Sequence, residues 1–120
     1  MNYKMIVLDL DGTLTNRDKV ITDKTRQALM EAQKRGKKVV LASGRPTYGV
    51  VPLAEELELG KYGGCILSFN GGIIMDCRTG EVLFQKKLPA EANRKIIGLA
   101  QEERVSSILT YQDGLIITDN

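Results

Sequence analysis

Two carboxylates stand two residues apart in Asp9-Leu10-Asp11-Gly12-Thr13-Leu14-Thr15, directly after the apolar run Met5-Ile6-Val7-Leu8. If that run is a buried strand, residues i and i+2 share a face and both acids point into one crevice. Like charges that close repel, so the pair implies a cation, a shared proton or a chemical task. Gly12 frees the backbone to turn sharply and lets its N–H approach a ligand closely. A plain turn is the bland alternative, because Asp and Gly are ordinary turn formers. A calcium loop has related spacing, but it lies between helices and closes on a glutamate, whereas the twelfth residue counted from Asp9 is Val20. The strand that leads into the motif favours a chemical site over both.

Two further candidates follow apolar runs in the same way. Ser43-Gly44-Arg45-Pro46 comes directly after Val39-Val40-Leu41-Ala42, and Asn70-Gly71-Gly72 after Cys65-Ile66-Leu67-Ser68-Phe69. Pro46 suits the first turn of a helix, so Ser43 reads either as an N-cap or, with the free N–H groups behind it, as part of a phosphate site. The chain has no histidine, and its two cysteines, Cys65 and Cys77, lack Cys-x-x-Cys spacing. That excludes a zinc site and a histidine-based triad, and the two thiols are expected to be reduced. The available chemistry is that of carboxylates, hydroxyls, backbone amides and a hard metal.

The elements that must position these groups follow from the hydrophobic spacing. Thr22 caps a helix whose apolar face is Thr25, Ala28, Leu29 and Ala32, and Gly36 closes it in the left-handed conformation. Val39 to Ala42 reads as a continuous apolar strand with helices over both faces. Strand, helix, strand is a βαβ unit with a right-handed crossover. A helix from Pro46 is expected to bury Val50, Leu53, Ala54 and Leu57, with a kink at Pro52 and an end at Gly60. Cys65 to Phe69 is a third strand. Residues 73–76 and 81–87 flank Cys77-Arg78-Thr79-Gly80 as a hairpin. After a short linker at Leu88-Pro89-Ala90, Ala92, Ile96, Leu99 and Ala100 mark an amphipathic helix. Strands over 105–111 and 115–118 are joined through Gln112-Asp113-Gly114, a strong hairpin signal. The expected class is therefore α/β, a Rossmann-like parallel-sheet core that is incomplete, spanning residues 1–87. Residues 88–120 begin a second α/β unit too small to stand alone.

Composition narrows the partners. The chain has 120 residues, 42% hydrophobic and 27% charged, with formal net charge +2. That balance argues against nucleic acid and anionic membranes as partners. The basic stretch Lys34-Arg35-Gly36-Lys37-Lys38 straddles a helix end, where cations complement the dipole. No apolar run nears the ~18 residues that span a bilayer, and no signal-peptide pattern precedes the first strand, so a cytoplasmic location is expected.

Asp9-Leu10-Asp11-Gly12-Thr13-Leu14 resembles the first motif of the haloacid dehalogenase superfamily, and Leu41-Ala42-Ser43-Gly44-Arg45 its second. Asn70-Gly71-Gly72, the hairpin after it and the linker near Pro89 are similar to the Cof-like sugar-phosphatase branch, in which a large α/β cap follows. The resemblance implies a hydrolase of small phosphorylated metabolites, with Asp9 as the nucleophile that forms an aspartyl-phosphate. It implies Asp11 as general acid/base and Mg2+ held by the Asp9 side chain and the Asp11 backbone carbonyl. It also implies phosphoryl oxygens held by Ser43 and by the amides of Gly12 and Gly44, with Arg45 and Asn70 at the phosphate or substrate or bracing the loop. The family's third motif, a lysine, and its fourth, an acidic cluster, have no counterpart after the linker; Asp119-Asn120 is a poor substitute. On that ground the 120 residues alone are expected to be inactive. A phosphomutase of the same superfamily, and a non-enzymatic receiver-like module that binds phosphate and Mg2+, are the alternatives.

Overall fold

The structure, a computed structural model, describes residues 3–111 and 114–118. The chain divides into two compact units, Met1–Lys86 and Lys87–Asn120. In the first, β1 (Met5–Leu8), α1 (Asp23–Lys34), β2 (Lys38–Ala42), α2 (Val51–Glu56), α3 (Leu59–Tyr62), β3 (Cys65–Ser68), β4 (Ile73–Asp76) and β5 (Val82–Gln85) follow one another. The five strands form one sheet in the order β1-β2-β3-β4-β5. The pairs β1/β2 and β2/β3 are parallel, with Val7 opposite Val40 and Leu41 opposite Ile66. The pairs β3/β4 and β4/β5 are antiparallel. The second unit holds α4 (Ala90–Glu102) and the antiparallel pair β6 (Ser107–Tyr111) and β7 (Gly114–Thr118). The turn expected at Gln112-Asp113-Gly114 falls partly outside the described residues, as do Asp119 and Asn120. No described helix is long and apolar enough to cross a membrane.

The core lies on the helix-covered face of the sheet, where Val39, Leu41 and Ile66 pack with Leu29, Leu57 and Leu59. Thr22 caps α1 as its spacing predicts, its hydroxyl accepting from the Thr25 N–H, and Gly36 takes φ 78° just past the helix end. The face that α1 buries differs from the expected one. Ala28 is exposed and Gln33 is buried beside Leu29. Gln33 earns its place by donating from Nε2 to the Leu57 carbonyl at 2.8 Å, which satisfies half of an amide that burial would otherwise penalise. At β1 only one face is covered: Met5 and Val7 on the other are 52% and 56% exposed.

The segment after Ser43 is the largest departure from expectation. No helix runs from Pro46 to Gly60. Pro46 is extended (ψ 154°), residues 47–49 form one 3-10 turn, and α2 begins only at Val51. Pro52 lies in the first turn of α2 rather than kinking a longer helix, a place where its missing N–H costs no intrahelical bond. Glu58 is left-handed (φ 52°) and separates α2 from α3, and Gly60 lies inside α3. Val50, Ala54 and Leu57 are nonetheless buried as the spacing requires.

Candidate active site

β1 ends at Leu8, so Asp9 and Asp11 stand just beyond the hydrogen-bonded ladder rather than within it. The alternation persists without the ladder: Leu10 is fully buried while Asp9 and Asp11 are exposed. A tight loop then folds back on itself. Leu14 N–H donates to the Asp9 carbonyl at 3.1 Å and Thr15 N–H to the Leu10 carbonyl at 2.9 Å. Buried Leu14 and Thr15 anchor the loop to the core. Gly12 takes φ 82°, the left-handed turn its type allows. Its N–H is engaged with the Thr15 carbonyl at 3.2 Å, so the Gly12 amide is committed to the loop and is not the free phosphate donor expected from the motif.

Asp9, Ser43, Gly44, Asn70 and Gly71 border one open cleft of about 350 Å³ at the carboxyl ends of β1, β2 and β3. Ser43 is fixed at three points. Its N–H donates to the Leu67 carbonyl at 2.9 Å, its carbonyl accepts from Asn70 N–H at 3.1 Å, and its Oγ accepts from Arg45 N–H at 3.1 Å. A hydroxyl has one donor and two acceptor positions, so the Ser43 proton remains to be given to an anion in the cleft. The phosphate reading of Ser43 can no longer draw on a helix dipole, because no helix starts behind it. Phe69 and Asn70 both adopt left-handed backbone, φ 51° and 54°, which ends β3 one residue early and turns Asn70 over Gly44.

The two acids are held in opposite ways. Among the described residues the only side-chain hydrogen bond to the Asp9 carboxylate is a long one from Thr13 Oγ1, 3.4 Å. The Asp11 carboxylate is fully engaged: Arg45 Nε lies 3.0 Å from Oδ2, Arg45 Nη2 2.5 Å from Oδ1, and Lys19 Nζ 2.7 Å from Oδ1. Arg45 first, and Lys19 after it, hold the Asp11 carboxyl down at about 2, and the same contact raises the Arg45 guanidinium above its ordinary value. Lys19 carries no motif signature. The signals for it are the polar run Asn16-Arg17-Asp18-Lys19 and Asn16 itself, whose side-chain oxygen accepts from Asp18 and Val20 N–H and shapes the turn. Cys77 is no rival nucleophile: burial pushes its thiol up to about 11.

A depressed carboxyl contributes stability above its unfolded pKa and loses it only as pH falls through the folded value. In the metal-free chain, the Asp11 side-chain carbon resonance is therefore expected to stay that of a carboxylate below pH 3.8 and to titrate near 2. In Arg45→Ala the midpoint moves upward; an unchanged midpoint would remove Arg45 as its cause.

Against known proteins, a family model described as haloacid dehalogenase-like hydrolase matches residues 6–120. The Streptococcus pyogenes protein M6_Spy0533 is 44% identical over 86 residues, which is 72% of this chain and 32% of that one. The 5-amino-6-(5-phospho-D-ribitylamino)uracil phosphatase YcsE of Bacillus subtilis is 37% identical over 76 residues, 63% of this chain and 29% of that one. The crystal structure of a haloacid dehalogenase-like hydrolase from Bacteroides thetaiotaomicron superposes with a TM-score of 0.89 at 46% identity, over 97% of this chain and 44% of that one. The chain thus spans about a third of the length of these two curated relatives and under half of the solved structure.

Proposed function

This chain belongs to the haloacid dehalogenase-like hydrolases, and on that premise we propose that it carries the nucleophile half of a magnesium-dependent phosphomonoesterase. Its substrates are small phosphorylated metabolites, sugar phosphates foremost; the phosphorylated ribityl compound in the name of the relative YcsE is of that kind. The observation that carries the reading is the meeting of the Asp9 carboxylate and the Ser43 hydroxyl on one cleft at adjacent parallel strand ends.

In this reading an Asp9 oxygen attacks phosphorus, the P–O bond to the alcohol breaks, and an aspartyl-phosphate forms. Asp11 protonates the departing alkoxide and then takes a proton from the water that hydrolyses the acyl phosphate. To give a proton, Asp11 must first lose a cationic contact. Lys19, with one bond and 63% side-chain exposure, is the easier of the two to release. The Ser43 hydroxyl and the Gly44 amide hold phosphoryl oxygens, and Asn70 flanks the alcohol moiety. Residues 88–120 are the start of the cap that selects it.

The donor set suits a hard cation in part. The Asp9 carboxylate and the Asp11 backbone carbonyl are oxygen ligands, the kind magnesium requires. The Asp11 carboxylate is unavailable because both oxygens are occupied. No group of three acidic or other ligating side chains occurs among the described residues. When bound, magnesium supplies the charge neutralisation that lets an anion approach a phosphate dianion.

Full-length protein turning over a sugar phosphate should lose activity in a chelator and regain it with added magnesium. Borohydride applied during turnover should convert Asp9 to homoserine by reducing the acyl phosphate. Reduction at another residue, or turnover without label at Asp9, would remove Asp9 as the nucleophile.

A further inference from the structure

We propose that Arg45 is a positioning residue that fixes the Asp11 carboxylate beside the cleft by tying the loops after β1, β2 and β3 to one another. The inference rests on the phosphatase reading above. The guanidinium meets Asp11 with two N–H groups, Nε to Oδ2 at 3.0 Å and Nη2 to Oδ1 at 2.5 Å. A planar fork on both carboxylate oxygens sets orientation as well as distance. Nη1 donates to the Gly49 carbonyl at 3.3 Å, so three of the five guanidinium N–H groups are engaged. The main chain is held at both ends, its N–H on Ser43 Oγ at 3.1 Å and its carbonyl on Phe69 N–H at 3.0 Å. One residue therefore joins the Asp11 loop to Ser43 and to the turn that carries Asn70.

A residue built to capture substrate would keep its donors free and face the cleft. Arg45 instead turns three of its five donors to Asp11 and Gly49, and it is not among the residues that border the cleft. Lys19 provides the internal contrast. It reaches Asp11 through one bond, is 63% exposed against 32% for Arg45, and sits on a single loop. An exposed single-contact ion pair is weak and salt-screened; a bidentate one pinned at its own backbone is not. The geometry assigns orientation of Asp11 to Arg45 and only its charge balance to Lys19.

Steady-state kinetics of full-length protein on a sugar phosphate separate the roles. Misplacing a catalytic group by about 1 Å can cost about 10²-fold, so Arg45→Ala is expected to lower kcat by about 10–100-fold. KM should stay within about threefold, because uniform substrate binding is not what is lost. Arg45→Lys, a point charge without the fork, should recover only part of kcat, and free guanidinium should recover part of it in Arg45→Ala. Lys19→Ala should change kcat less than Arg45→Ala does, because a single exposed contact supplies charge without setting orientation. In an Asp11→Asn background, Arg45→Ala should cost less than about threefold more, since residues acting as a unit are not additive. The Arg45 Nε–H resonance should move in Asp11→Asn.

A raised KM at unchanged kcat would make Arg45 a substrate ligand and overturn the proposal. An undiminished loss in the Asp11→Asn background, or an unmoved Nε–H resonance, would overturn it as well. Undiminished turnover in Asp9→Asn would instead overturn the phosphatase reading, while the resonance still tests the Arg45–Asp11 contact by itself.

Discussion

Asp9→Asn is expected to abolish phosphate release, lowering kcat by about 10⁴-fold or more, the scale on which loss of a catalytic carboxylate or nucleophile is felt. The amide keeps the shape of the carboxylate but removes the charge and the nucleophilic oxygen that forms the acyl phosphate. The fold should not notice. Asp9 is exposed, and among the described residues its side chain has one long hydrogen bond, to Thr13 at 3.4 Å. A surface change of this kind falls within about 0.5 kcal/mol. A phosphate-release assay paired with a thermal melt tests both halves. Activity near that of the parent would rule out Asp9 as nucleophile, and a collapsed melting temperature would show a structural role that its exposure does not suggest.

The largest effect on the fold is expected at Gly64. A Cβ built there would lie 2.6 Å from the Val39 carbonyl oxygen and 3.0 Å from Leu59 Cβ. The first of these is backbone of β2, which cannot rotate out of the way. Gly64 is also held by its own main chain, donating to the Leu59 carbonyl at 2.8 Å and accepting from Cys77 N–H at 3.1 Å. Overpacking of this kind costs about 1–3 kcal/mol and at times more, so Gly64→Ala should unfold at lower denaturant with an unchanged slope. Because β2 leads to Ser43 and β3 to Asn70, the strain should reach the cleft, weakening activity beyond the loss of folded protein. Unchanged stability would mean that β2 and β3 can separate freely at this point. Its neighbour Gly63 is needed for a different reason, a left-handed φ of 75°.

The comparison of Gly63 and Gly64 shows where legibility stops. Both read alike in sequence, as glycines before an apolar strand. One answers to backbone conformation, which is local, and the other to a carbonyl on a strand more than twenty residues earlier. The same division runs through the site. The turns at Gly12 and Gly36 are legible in local sequence, and both residues are left-handed, with φ of 82° and 78°. The helix expected after Ser43 was not formed, because proline fixes φ and leaves ψ open, and Pro46 took the extended ψ of 154°. Ala28 and Gln33 exchanged places for a tertiary reason: the Leu57 carbonyl offered Gln33 a partner.

By itself the sequence determined the order of the strands in the first unit, the placing of Asp9, Ser43 and Asn70 at strand ends, and the chemistry open to a chain without histidine. These follow from local periodicity and residue type, which act over a few residues. Tertiary structure alone decided that Asp9 is left open while Asp11 is gripped by Arg45, 34 residues away, and by Lys19. It also decided that the Gly12 amide turns inward to Thr15. Such pairings depend on where loops from three different strands come to rest, and that is fixed by packing of the sheet beneath them. Asp9 and Asp11 look alike in the sequence; the fold makes one a free carboxylate and the other a held one.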